Sequence, residues 1–391
     1  MCLFMDERMK FGLVASSSFL AFGFWMLITG SALPAIVSEF NISYKDAGIL
    51  LSLPTFGFIF GAILCMVFVQ KTGPFKLLSF ALISVSLSLA WISASRVFWM
   101  LVIASVVMSV GSGLIETTVG VGVSSIRYRR TGGALNFIHS AYAIGAIVSP
   151  FVVALLLTTS DRWWVPFVLA CLLSLMVFFY STSLKIGWSP SITKSRKREY
   201  GYLLRQPVFW LAIIGVFVYV GYEVAFTSWL SAYVYDVKGI TMRLSSIFPA
   251  LLWAGLFIGR VMSGAFVDRL GYAYSLLLLT SLSSISVVAV LFSRSPITLV
   301  IAVVISGIGF SGVFPTLQAI MIRGLSSAIN EAISIFSIAA SLGAAFANYA
   351  VGAIGDVLGL GWGIAFVLLL IVIELILALI LMQRGEKKCT T

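Results

Sequence analysis

Charge is scarce in this chain, and histidine is nearly absent. Charged residues fill 10% of 391 positions, with 14 Asp and Glu, one His and four Cys. A soluble domain averages about 25% charged residues, so a water-exposed globular fold is excluded. Cys2, Cys65, Cys171 and Cys389 show no paired spacing, which argues against a disulfide framework or a CxxC metal site. The chain has no H-E-x-x-H, no G-x-S-x-G and no P-loop. We therefore expect no enzyme chemistry, no metal and no cofactor.

What the chain has instead is hydrophobicity, at 60% of residues and a mean hydropathy of +1.10. It is organised into twelve runs: 11–37, 47–69, 75–95, 97–126, 133–157, 163–184, 207–235, 244–267, 273–293, 296–323, 330–355 and 361–382. Runs of about 20 apolar residues are long enough to cross a hydrocarbon core. An all-α, twelve-span membrane protein is expected. The first run follows MCLFMDERMK and is too long for a signal-peptide core, so it reads as a retained helix. With the N-terminus inside, the outer connections hold only Lys45, Arg96, Arg162, Lys238, Arg243 and Arg294. The other 19 of the 25 Lys and Arg fall on the inner side. The positive-inside rule then places both termini in the cytoplasm of a cell-membrane protein. Anionic membrane lipid accounts for the net charge of +11 without any nucleic acid.

KIGWSPSITKSRKREYGYLLRQ (185–206) is the longest polar connection, and it separates six spans from six. It predicts an N-terminal bundle (1–184), a cytoplasmic linker (185–206) and a C-terminal bundle (207–391). The two halves repeat at an offset of 198. GFIFGAILCMVFVQKTGPFKLL (57–78) aligns without gaps on GLFIGRVMSGAFVDRLGYAYSL (255–276), and GSGLIETTVGVGVSSIR (111–127) falls on GFSGVFPTLQAIMIRGL (309–325). The loop GAFVDRLGY (264–272), with Gly264, Asp268, Arg269 and Gly271, resembles the G-x-x-x-D-R-x-G loop of the major facilitator superfamily. That resemblance implies parallel six-helix halves, a solute site near the midplane, and a cytoplasmic gate at this loop. In the first-half copy Met66 replaces the glycine and Gln70 the aspartate.

Three segments are most similar to the fucose-permease branch, the fucose–galactose–glucose:proton symporters. They are GSGLIETT in the fourth span, ALNFIHSAYAIGAIVSP (134–150) with Asn136 and Tyr142 in the fifth, and YVGYEVAFTSWLSAYV (219–234) in the seventh. The resemblance implies a monomeric, proton-coupled sugar carrier. The symporters carry a first-span aspartate, however, and here that span reads FLAFGFWMLITGSALPAIV, with no acid. The two-carboxylate coupling arrangement does not carry over, and Glu116 is the matching acid that remains.

Glu116 has no charged residue within ten positions and stands ten residues from Ile126, about 15 Å into the span. An ionised carboxylate facing lipid at that depth costs about 2.5–3.5 kcal/mol, so the side chain should face a cavity or hold a proton. Gly113 and Gly120 share its helical face. His139 titrates near neutrality and suits a relay or a packing role. Glu223 sits in the stripe Tyr219, Phe226, Trp229, Tyr233, where aromatic faces beside an acid suit a sugar ring. Trp25, Thr29, Phe314, Gln318 and Asn348 extend the expected cavity lining by the same argument. Glu374 reads as packing or an oligomer contact. The expected function is secondary transport of a small, sugar-like solute by alternating access, with protons as the possible co-substrate through Glu116. The same cavity also suits export of a lipophilic or cationic compound, uncoupled facilitation, or a membrane sensor that does not transport.

Overall fold

The computed structural model describes residues 7–125, 131–159, 162–184, 200–325 and 328–389. Within these, the side chains of 7, 8, 124, 125, 131–137, 158, 159, 200, 263–266, 268, 329–331 and 384–389 lie outside the description. Among the described residues there is no strand. Hydrocarbon supplies no partner for backbone N–H and C=O groups, so a spanning segment must satisfy them internally as helix. Twelve described segments are long and apolar enough to cross a membrane.

The chain divides into two compact units: Met1–Asn41 with Leu53–Lys194, and Ile42–Ser52 with Ser195–Thr391. Unit 1 holds α1 (Glu7–Met26), α2 (Ile28–Ser31), α3 (Leu33–Phe40), most of α4 (Tyr44–Thr72), α5 (Pro74–Ala94), α6 (Phe98–Ser125), α7 (Thr131–Thr159) and α8 (Val165–Ser183). Unit 2 holds α9 (Tyr200–Leu203), α10 (Pro207–Asp236), α11 (Met242–Ser245), α12 (Phe248–Leu270) and α13 (Tyr272–Phe292). It continues with α14 (Pro296–Phe310), α15 (Val313–Gly324), α16 (Ile329–Leu358) and α17 (Leu360–Cys389). The first turns of α4 group with unit 2 for a local reason. The Tyr44 hydroxyl donates to Asp236 at 2.9 Å, and Gly48 lets the helix lie close against the α16 backbone at Asn348 and Tyr349. Of the expected linker, 185–199 lies outside the described residues.

Two expected single spans are broken. The first bends after Met26 and again at Ala32, where Pro34 removes a donor to Gly30. The tenth breaks at Ser311 and Gly312, four and three residues before Pro315. Arg260, counted above on the inner side although it falls in the run 244–267, lies within α12 and inside the membrane-crossing stretch Met242–Met262. The charge bias survives its removal.

The 198-residue repeat reappears as packing register. Where α4 meets α6, Gly57 and Gly61 face the carbonyls of Val106 and Val110. Where α12 meets α14, Gly255 and Gly259 face those of Val304 and Ile308. A side chain at any of the four would run into backbone, so glycine sets the close approach. Gly73 (φ 76°) and Gly271 (φ 85°) occupy the same place in the two copies, each in a backbone conformation that L side chains rarely adopt. That conformation explains the last glycine of the 264–272 motif.

Candidate functional site

In unit 1, Gly23 of α1 meets the Tyr142 carbonyl of α7, and Gly145 of α7 meets the Leu20 carbonyl of α1. This close pairing sets two rows of rings edge to face. Phe19 lies 5.1 Å from the His139 ring at 87°, and Phe22 lies 5.1 Å from Tyr142 at 70°. Phe22 also touches Trp25 (5.7 Å) and Phe58 of α4 (6.4 Å, stacked), so Trp25 and Tyr142 join one aromatic cluster. Trp25 is fully buried, and its indole N–H donates to Ser112 Oγ of α6 at 3.1 Å. Thr29 and Tyr142 are half-buried and His139 is exposed.

Glu116 keeps part of its surface exposed and makes no hydrogen bond or ion pair to a described residue. Its neighbours on the helical face differ in use. Gly113 is pressed against the Phe58 carbonyl, whereas a Cβ added at Gly120 would meet nothing within 4 Å. The acid therefore stands between a sealed glycine and an open one.

In unit 2 the stripe on α10 is packed inside the bundle. Tyr219, Phe226, Trp229 and Tyr233 have at most 1% of their surface exposed. The Tyr219 hydroxyl donates to the Phe310 carbonyl at 2.8 Å, at the point where the tenth span breaks. This supplies a partner to a helix-terminal carbonyl. Trp229 donates to the Asn348 carbonyl at 3.2 Å. Asn348 donates through Nδ2 to the Leu51 carbonyl at 3.4 Å, while its buried Oδ1 has no partner among the described residues. Phe314 stands 6.4 Å from Tyr219 and 5.2 Å from Phe336; both Phe314 and Gln318 are half-buried. Glu223 is the polar member of the stripe that keeps exposed surface, and Arg260 and Tyr219 lie within its electrostatic reach.

The segment 264–272, expected as a loop, is mostly helix: α12 runs to Leu270 and only Gly271 separates it from α13; Arg269 and Gly271 are exposed. The side chains of Asn136 and Asp268, and the surroundings of Gly264, lie outside the described residues.

Two residues, Arg260 and Tyr222, escaped the sequence reading of the site. Arg260 was counted only as an inner-side charge, although an arginine inside the apolar run 244–267 was itself the signal. Tyr222 is fully buried on α10, and its hydroxyl has no partner among the described residues. Glu374 is fully buried as well, both carboxylate oxygens are unpartnered among the described residues, and Oε1 faces Gly215 of α10. It therefore packs within unit 2 rather than forming an oligomer contact. Among the described residues, no three His, Cys, Asp or Glu converge to hold a metal ion.

Comparison with known proteins gives concordant results. The family model described as Major Facilitator Superfamily matches residues 14–328. The glucose/mannose transporter GlcP of Bacillus subtilis is 22% identical over 357 residues, covering 85% of each chain. A putative metabolite transport protein of Haemophilus influenzae is 20% identical, covering 94% of each. Among solved structures, a variant of the nucleoside transporter NupG superposes with a TM-score of 0.79 at 13% identity, over 97% of this chain and 99% of that one. A D-xylose–proton symporter gives 0.75 at 14% identity, over 96% and 97%. At these identities the structural likeness speaks for the fold.

Proposed function

The chain belongs to the Major Facilitator Superfamily, a family of transporters, and from that premise we propose that it moves a sugar or related polar solute by alternating access, coupled to protons through Glu116. The observation that carries this reading is the Glu116 carboxyl group. It is partly exposed, faces no cation among the described residues, and adjoins the open position at Gly120. A bare charge at that depth is costly, and a proton is the smallest counter-charge available. Cyclic loss and gain of that proton would let the carrier re-orient without moving an uncompensated charge.

Glu223 takes the complementary role. With Tyr219 and Arg260 within its electrostatic reach, it is assigned to holding a solute hydroxyl. His139, Tyr142, Thr29, Phe314 and Gln318 all keep exposed surface and complete the proposed solute-facing set. Trp25, Tyr219, Phe226, Trp229, Tyr233 and Asn348 support it from behind. The relative GlcP, named for glucose and mannose, favours a hexose. The 264–272 segment is assigned to the cytoplasmic gate, and both termini to the cytoplasm of a monomeric cell-membrane carrier.

Purified protein in liposomes tests this reading against labelled hexoses and a lipophilic cation, with and without a pH gradient. Saturable hexose accumulation that needs the gradient is expected. Movement of the cation without any hexose would replace the sugar reading with export, and movement of neither would favour a non-transporting sensor.

A further inference from the structure

Between Asp46 and Glu116 the sequence contains no acidic residue at all, yet Lys71 and Lys76 stand five positions apart in the first-half copy of the loop motif. Position 70, where the second copy has Asp268, is Gln70. Both lysines are exposed, one in the last turn of α4 and the other in the first turn of α5. They are the charged members of the lining of a groove of about 620 Å³, which also includes Leu64, Phe68, Thr72, Leu77, Phe80 and Leu114. Leu77 and Leu114 are buried and form its floor, while Phe68 (43% exposed) and Phe80 (62%) form its walls. The Thr72 hydroxyl donates to the Phe68 carbonyl at 3.0 Å, which leaves the lysines as the side-chain donors of the lining.

We propose that this groove binds one anionic phospholipid of the cytoplasmic leaflet, with its phosphate between Lys71 and Lys76 and an acyl chain along Leu64, Phe68 and Phe80. Three features select that occupant. Both cations line the same groove, and the sequence from 47 to 115 supplies no carboxylate to pair with them. From Lys71 to Leu64 the wall runs about 10 Å along the helix, which is apolar and suits a chain rather than a soluble anion. The charged end also lies on the side where the Lys and Arg bias puts anionic lipid. The loss of the motif's aspartate thus has a use: an Asp at position 70 would supply a negative charge and repel a phosphate.

The test uses full-length protein in nanodiscs of phosphatidylcholine alone or with phosphatidylglycerol, reading the melting temperature and, by native mass spectrometry, the lipid retained. Wild type should melt higher with phosphatidylglycerol and retain it. Lys71→Gln with Lys76→Gln should bind it about 30-fold more weakly, the combined factor for two lysines near an anionic surface. Leu64→Trp, which fills the groove and leaves the lysines intact, should lose retention too, whereas Arg96→Gln should keep it. Undiminished retention in either groove variant would overturn the proposal. So would equal protection by inorganic phosphate, because the ligand would then be a soluble anion. If neither lipid nor phosphate raises the melting temperature of wild type, the site does not exist.

Discussion

In unit 1, Gly23 and Gly145 bring α1 against α7; in unit 2, Gly221 and Gly343, each 198 residues later, bring α10 against α16. The same offset carries Trp25 onto Glu223 and Glu116 onto Phe314. Unit 1 therefore places its aromatic in the first span of the half and its acid in the fourth, and unit 2 does the reverse. Backbone contact admits no substitution and keeps the repeat, whereas the polar and aromatic positions are free to exchange. The first span of the second half does carry an acid, Glu223, with Arg260 within its electrostatic reach.

The sharpest way to break the shared register is to add one methyl group. Gly145→Ala and Gly343→Ala would drive a Cβ into the carbonyls of Leu20 and Phe217. Overpacking costs about 1–3 kcal/mol, and contact with backbone puts these sites at the upper end, so each variant should lose much of its folded yield in detergent chromatography. Gly120→Ala, which meets nothing within 4 Å, should melt like wild type. Equal behaviour of the three would mean that the glycines do not set the packing.

A second prediction separates the two loop copies. Asp268→Asn should change labelling of cavity cysteines from the cytoplasm about fivefold, the effect of roughly 1 kcal/mol on the conformational equilibrium. Gln70→Asn should leave labelling unchanged. If both variants or neither shift it, the intact motif is no gate.

Much of this was legible beforehand. The twelve spans followed from apolar length, and the repeat from glycines, because helix contacts in lipid depend on small residues. The interior position of the α10 stripe was not legible. Helical spacing says that Tyr219, Phe226, Trp229 and Tyr233 share a face, but it does not say whether that face meets a cavity or another helix. Nor does a hydropathy run show the break at Ser311, where the Tyr219 hydroxyl supplies a partner from 91 positions away. For Glu374 the sequence left packing and an oligomer contact open, and only the structure shows the acid turned inward, toward Gly215.

Smaller effects sharpen the contrast between buried and working polar groups. Trp25→Phe removes the bond to Ser112 Oγ and should cost about 1 kcal/mol in a thermal or denaturant melt. A double-mutant cycle with Ser112→Ala should recover most of that as coupling. Glu374→Gln should change stability by less than about 1 kcal/mol, since neither carboxylate oxygen has a partner to lose among the described residues. It should also leave transport intact; a transport defect would move Glu374 into the working set.

The division of labour between the two acids is tested most directly by one pair of assays on Glu116→Gln and Glu223→Gln in liposomes. The first assay follows hexose exchange at equal pH, and the second follows accumulation driven by a pH gradient. Glu116→Gln should retain exchange and lose accumulation, whereas Glu223→Gln should weaken solute affinity in both. If Glu116→Gln still accumulates hexose against its gradient, Glu116 does not carry the coupling proton and the central claim fails.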